Sequence, residues 1–80
     1  MAQNPSVRTI DLNADDALVL FEWVSRVTDD ERLTVSDPAE WGALHQLCGA
    51  LERALAEPLR ADYRPLLEDA RRRVRERDGL

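Results

Sequence analysis

The sequence predicts a small, mainly α domain of three helices, and three observations carry that expectation. The run Ala17–Val24 reads Ala-Leu-Val-Leu-Phe-Glu-Trp-Val, with Glu22 its one polar residue. A helix this apolar must bury most of its circumference. Asp37-Pro38-Ala39-Glu40 is a sharp helix start, and from there Trp41, Leu44, Cys48, Leu51 and Leu55 recur at spacings of three and four. An 80-residue chain makes one domain and buries only roughly 60–65% of its unfolded surface. The apolar excess of the first helix therefore points both to a helical core and to a second chain that helps cover it.

Residues 1–6 are expected to form a flexible leader with Pro5 as a breaker, ahead of a single helical domain over residues 7–80. Val7–Leu12 alternates, but both of its faces are mixed in polarity. Leu33-Thr34-Val35 is β-prone. Each segment directly precedes a capped helix, which leaves room for a short two-stranded β ribbon formed by residues 7–12 and 33–35.

Asn13 is suited to cap the first helix by accepting from the amide of Asp16, and Asp15 and Asp16 complement its dipole. The helix is expected over about Ala14–Val27. Ala17, Leu20, Phe21, Val24 and Val27 form its main apolar face, widened by Leu18, Val19 and Trp23. Asp15, Glu22 and Arg26 mark a polar stripe, where Glu22 and Arg26 have ion-pair spacing and Glu22 is expected to be exposed. Thr28-Asp29-Asp30-Glu31-Arg32 reads as a charged turn.

In the second helix Asp37 caps, Pro38 takes a position where its missing donor is harmless, and Glu40 closes a capping box. The helix is expected to run to about Glu57, with Pro58 ending it, and Gly49 is tolerable there where it permits a close helix crossing. Asp62 is placed to cap a third helix with Pro65 inside its first turn. Its apolar stripe, Tyr63, Leu66, Leu67, Ala70 and Val74, is narrow, its last turns are crowded with Arg, and Gly79 is a plausible stop.

Sixteen acids against eleven bases give a net charge of −5, and every base is Arg. That balance argues against nonspecific phosphate binding. The absence of Lys matches the codon usage of a high-GC genome, and a bacterial protein is expected. The single Cys48 cannot form an intrachain disulfide, which fits a reducing compartment. The first residues are polar with no apolar segment behind them, and no apolar stretch approaches the ~18–20 residues of a membrane span. A cytoplasmic location is expected.

No motif demands a particular chemistry. His45 and Cys48 share a helix face, but a zinc site needs about four ligands and the chain has no second His or Cys. They read as a boundary residue beside a small core residue, so neither a metal nor a cofactor is expected. Glycine-rich phosphate loops, nucleophile elbows and His-Glu metal helices are missing, which argues against an enzyme.

Arg71, Arg72 and Arg75 belong to the best candidate for nucleic-acid or charged-partner binding. However, Glu68, Asp69, Glu76 and Asp78 are interleaved with them. From Leu59 onward seven Arg meet five acids, whereas the residues before it hold four Arg and eleven acids. This asymmetry would let one subunit's tail dock on another's acidic body, or on an acidic partner.

The leading expectation is a non-catalytic protein-interaction module, similar in size and charge to inhibitors, antitoxins, immunity proteins or assembly adaptors. Phe21, Trp23 and Trp41 are its candidate partner-binding residues and a homodimer its expected state. The alternative is a nucleic-acid-binding regulator using the Arg-rich helix.

Overall fold

The computed structural model describes residues 7–30 and 33–80. Three helices follow in order, α1 (Ala14–Asp30), α2 (Pro38–Ala54) and α3 (Tyr63–Asp78), with a single 3-10 turn at Glu57–Leu59 between the last two. The proposed leader, residues 1–6, lies outside the described residues, as does the Glu31-Arg32 pair of the charged turn. Helix α1 lies between α2 and α3 and packs on both, while α2 and α3 scarcely touch each other.

The β ribbon is a correction. Residues 7–13 and 33–35 take no regular structure, and no strand occurs among the described residues. A two-stranded ribbon is marginal unless one face is buried. Here neither face of residues 7–12 is uniformly apolar, and Val7 and Ile10 stand in solvent.

The helix ends follow from local chemistry. Asn13 Oδ1 accepts from the Asp16 amide at 2.9 Å. At the other end α1 continues to Asp30, three residues beyond expectation, and the Thr28 hydroxyl folds back onto the Val24 carbonyl at 2.8 Å instead of starting a turn. In α2, Asp37 Oδ1 accepts from the Ala39 amide at 2.8 Å. Glu40 reaches back to the Ser36 amide at 2.9 Å, one residue earlier than a standard capping box.

Helix α2 stops at Ala54, four residues before Pro58. Proline offers no N–H to that carbonyl and disfavours helical geometry at Glu57, so the chain re-forms as the 3-10 turn. Asp62 does not cap α3 with its side chain. It is held by Arg60, whose Nε and Nη2 donate to its carboxylate at 2.9 and 3.2 Å. Gly79, at φ 70°, ends α3 in the left-handed conformation that glycine adopts without penalty, and the Leu80 amide closes onto the Arg75 carbonyl at 2.9 Å. Gly49 marks no close helix crossing: a Cβ there would meet only the tip of Arg53.

The core is small. Leu18 of α1 meets Leu67 and Ala70 of α3, with Val19, Leu55, Tyr63 and Leu66 packed around them. Ala17, Val24, Val27 and Leu51 are the other buried apolar residues among those described. The radius of gyration is 14.5 Å, against roughly 11.6 Å for a compact chain of this length. The exposed, irregular segment 7–13 and the scarce contact between α2 and α3 both extend the arrangement.

Candidate functional site

Helix α3 is fastened along α1 by three contacts between residues far apart in sequence. The Tyr63 hydroxyl donates to Glu22 Oε1 at 2.7 Å. Arg73 forks onto Asp15 with 2.7 and 2.9 Å hydrogen bonds, and Arg77 forks onto Asp16 at 2.6 and 2.9 Å. Arg73 and Arg77 are four residues apart and so share a face of α3, which is the spacing that lets them grip adjacent acids at the start of α1.

These contacts shift the ionisation of the groups involved. The Arg73 guanidinium holds the Asp15 carboxyl below its usual range, and Asp15 in return raises Arg73. Arg77 is raised by its bonds to Asp78 and Asp16, and Asp78 is lowered by Arg77. Burial, and then the bond to Glu22, push Tyr63 up to about 12. Glu22 also keeps its pairing with Arg26 at 3.6 Å, but its side chain is only 23% exposed. The expectation of an exposed Glu22 is thereby corrected. Tyr63 crosses from α3 to cover it.

What the packing leaves uncovered is a groove of about 620 Å³ along α1. Leu12, Val19, Leu20 and Trp23 supply its apolar lining, and Asp16, Arg26, Arg71 and Arg77 its polar lining. Trp23 is 38% exposed. A smaller hollow of about 210 Å³ lies toward α2, lined by Ile10, Leu12, Ala17, Leu47, Ala50, Leu51 and Ala54. Leu12 borders both hollows.

Of the three aromatic candidates, the groove takes up Trp23 alone. Phe21 is half-buried and lies two residues away, roughly 200° around the helix, so it faces elsewhere. Trp41 is half-buried in the first turn of α2 and lines neither hollow. Leu12 and Leu20 were not singled out as site residues. Their signal was the sheer width of the apolar face of α1, which exceeds what two flanking helices cover.

The Arg candidates are dispersed. Arg71 pairs with Glu68 at 2.8 Å, and Arg72 lies between Asp69 at 3.5 Å and Glu76 at 3.7 Å. Arg75 is exposed and has no ion pair among the described residues. His45 is exposed, whereas Cys48 is half-buried with its Sγ 3.4 Å from Ser25 Oγ. Among the described residues no group of three or more His, Cys, Asp or Glu is disposed to hold a metal ion. No helix is long and apolar enough to cross a membrane.

Three comparisons bear on identity: no protein-family model, no curated protein and no solved structure matches this chain.

Proposed function

We propose that this chain is a non-catalytic protein-interaction module, an acidic helical protein of the inhibitor, antitoxin, immunity or assembly-adaptor kind, and that it engages protein through the α1 groove. The observation that carries the reading is the apolar groove around Trp23. Leu12, Val19 and Leu20 line the groove together with a half-exposed indole, beside the charged side chains of Asp16, Arg26, Arg71 and Arg77. Aromatic and Arg side chains are among the types enriched at protein interfaces.

The alternative, nucleic-acid binding through Arg71, Arg72 and Arg75, has less support. Carboxylates of the same helix already neutralise Arg71 and Arg72, and the chain carries −5 overall.

The test is a photo-cross-linking amino acid placed at Leu20 in the native host, with the same group at the exposed Gln46 of α2 as control. The module reading expects a discrete protein adduct from position 20 that is missing from position 46 and is lost on Trp23→Ser. Equal, nonspecific labelling from both positions would refute it.

A further inference from the structure

We infer that this chain is built as a fixed pair and a detachable cover: α1 and α3 stay together, while α2 comes away from α1 as a unit and uncovers a second apolar face of α1. The first argument is how differently α1 is held on its two sides. Toward α3 the seam closes on Leu67 and Ala70, both fully buried, with Leu18 beside them. The Tyr63–Glu22 bond clasps one end of that seam, and the Arg73–Asp15 and Arg77–Asp16 forks clasp the other. A single exposed ion pair contributes little, but two adjacent bidentate forks also fix orientation.

Toward α2 the hold is weaker. Leu51 is the one buried residue of α2, and the rest of its apolar face, Trp41, Leu44, Leu47 and Cys48, is half-buried. The side chain of α2 that bonds to α1 is Cys48, whose Sγ lies 3.4 Å from Ser25 Oγ, and a thiol is a weak partner. The hollow of about 210 Å³ interrupts the contact of Leu47 and Leu51 with Ala17. Gly42 and Gly49 weaken α2 itself, because glycine is a poorer helix former than alanine.

The second argument is freedom to move. Helices α2 and α3 scarcely touch, so α2 can leave without disturbing the α1–α3 seam. Residues 33–37 ahead of it take no helix or strand, and behind it the chain turns extended at Leu55. Leu55 packs against the Leu18–Leu67–Ala70 cluster and so serves as the pivot. Ala17, Phe21 and Val24 follow at spacings of four and three and form one stripe of α1. Ala17 borders the hollow against α2, and Ser25, next to Val24, touches Cys48, so this stripe is the face that detachment uncovers. A lone helix with two glycines is marginal in water, so α2 gives up its own hydrogen bonds once it is off α1.

The experiment is native-state hydrogen exchange of the full chain, read residue by residue by NMR over a series of low urea concentrations. The amides of α2 from Leu44 to Leu51 are expected to be at least about tenfold less protected than those of α3 from Leu67 to Val74. Their urea dependence is expected to be shallower, because detachment exposes less surface than unfolding. Ser25→Cys sets a second thiol against Cys48, and oxidising the pair with diamide ties α2 to α1. The oxidised variant is expected to raise α2 protection to that of α3, and the reduced variant to match wild type. Equal protection and equal urea dependence of α2 and α3 in the wild-type chain overturn the inference, as does an oxidised variant whose α2 amides exchange as readily as before.

Discussion

The bond from Tyr63 to Glu22 joins α3 to α1 and lends itself to direct measurement, because Tyr63 is the chain's one tyrosine. Removing the hydroxyl by Tyr63→Phe deletes a bond to a charged acceptor, a class of interaction that contributes roughly 1.5–3 kcal/mol. Glu22 keeps Arg26 at 3.6 Å and some contact with water, so it is not stranded, and the loss should fall near about 1.5 kcal/mol. For a domain of this size that corresponds to a fall of roughly 6–12 °C in melting temperature.

The same contact sets a pH dependence with a definite sign. Tyr63 is raised to about 12 from an ordinary value of 10.0, so the folded chain resists forming the tyrosinate. The contribution is fully present below pH 10 and is lost as pH rises through about 12. The assay is a spectroscopic titration of tyrosinate absorbance, which reports Tyr63 alone, run in buffer and again in concentrated urea. A native midpoint well above the unfolded one is expected, together with a stability loss at high pH that Tyr63→Phe lacks. Coincident midpoints, with Tyr63→Phe as stable as wild type, would refute the reasoning.

Other outcomes follow from the same packing. Leu67→Ala empties the centre of the α1–α3 contact, where Leu67 is fully buried, and should lower stability by about 3 kcal/mol in urea unfolding. Gly42→Ala should raise stability by about 0.5–1 kcal/mol, since Gly42 lies inside α2 with open space where a Cβ would sit. Asp15 is lowered by Arg73, so its contribution is present above the ordinary carboxylate value and lost as pH falls through the lowered one. The melting difference between wild type and Asp15→Asn should therefore shrink in acid.

Much of the fold was legible because its signals are local. Asn13, Asp37, Pro58 and Gly79 each act within a few residues, through a side chain that reaches the nearest amide, a missing donor or a tolerated dihedral angle. The three-residue extension of α1 was less legible, because acidic residues after Val27 suit a turn as well as an exposed helix end. The ribbon was misjudged because pairing requires a burial partner, and alternation alone does not supply one.

Of the residues singled out in the sequence, Trp23 and Arg71 line the groove. Whether Phe21 or Trp23 is left open depends on which side of α1 each neighbouring helix takes, and that is a property of the crossing rather than of any motif. The charge asymmetry was visible, but its resolution was not. Arg73 and Arg77 find Asp15 and Asp16 in the same chain, so docking the tail on another subunit is not needed to explain it.

The central claim is that protein covers the outward face of α1, and Trp23 can report on this directly. In a Trp41→Phe background Trp23 is the one tryptophan, and collisional quenching of its fluorescence can be followed as protein concentration rises. Quenching should fall from that of a half-exposed indole in dilute solution to that of a sheltered one once the covering protein, a further copy or a host partner, is present. An indole that stays equally open to the quencher at every concentration, and equally open in host extract, would contradict the claim.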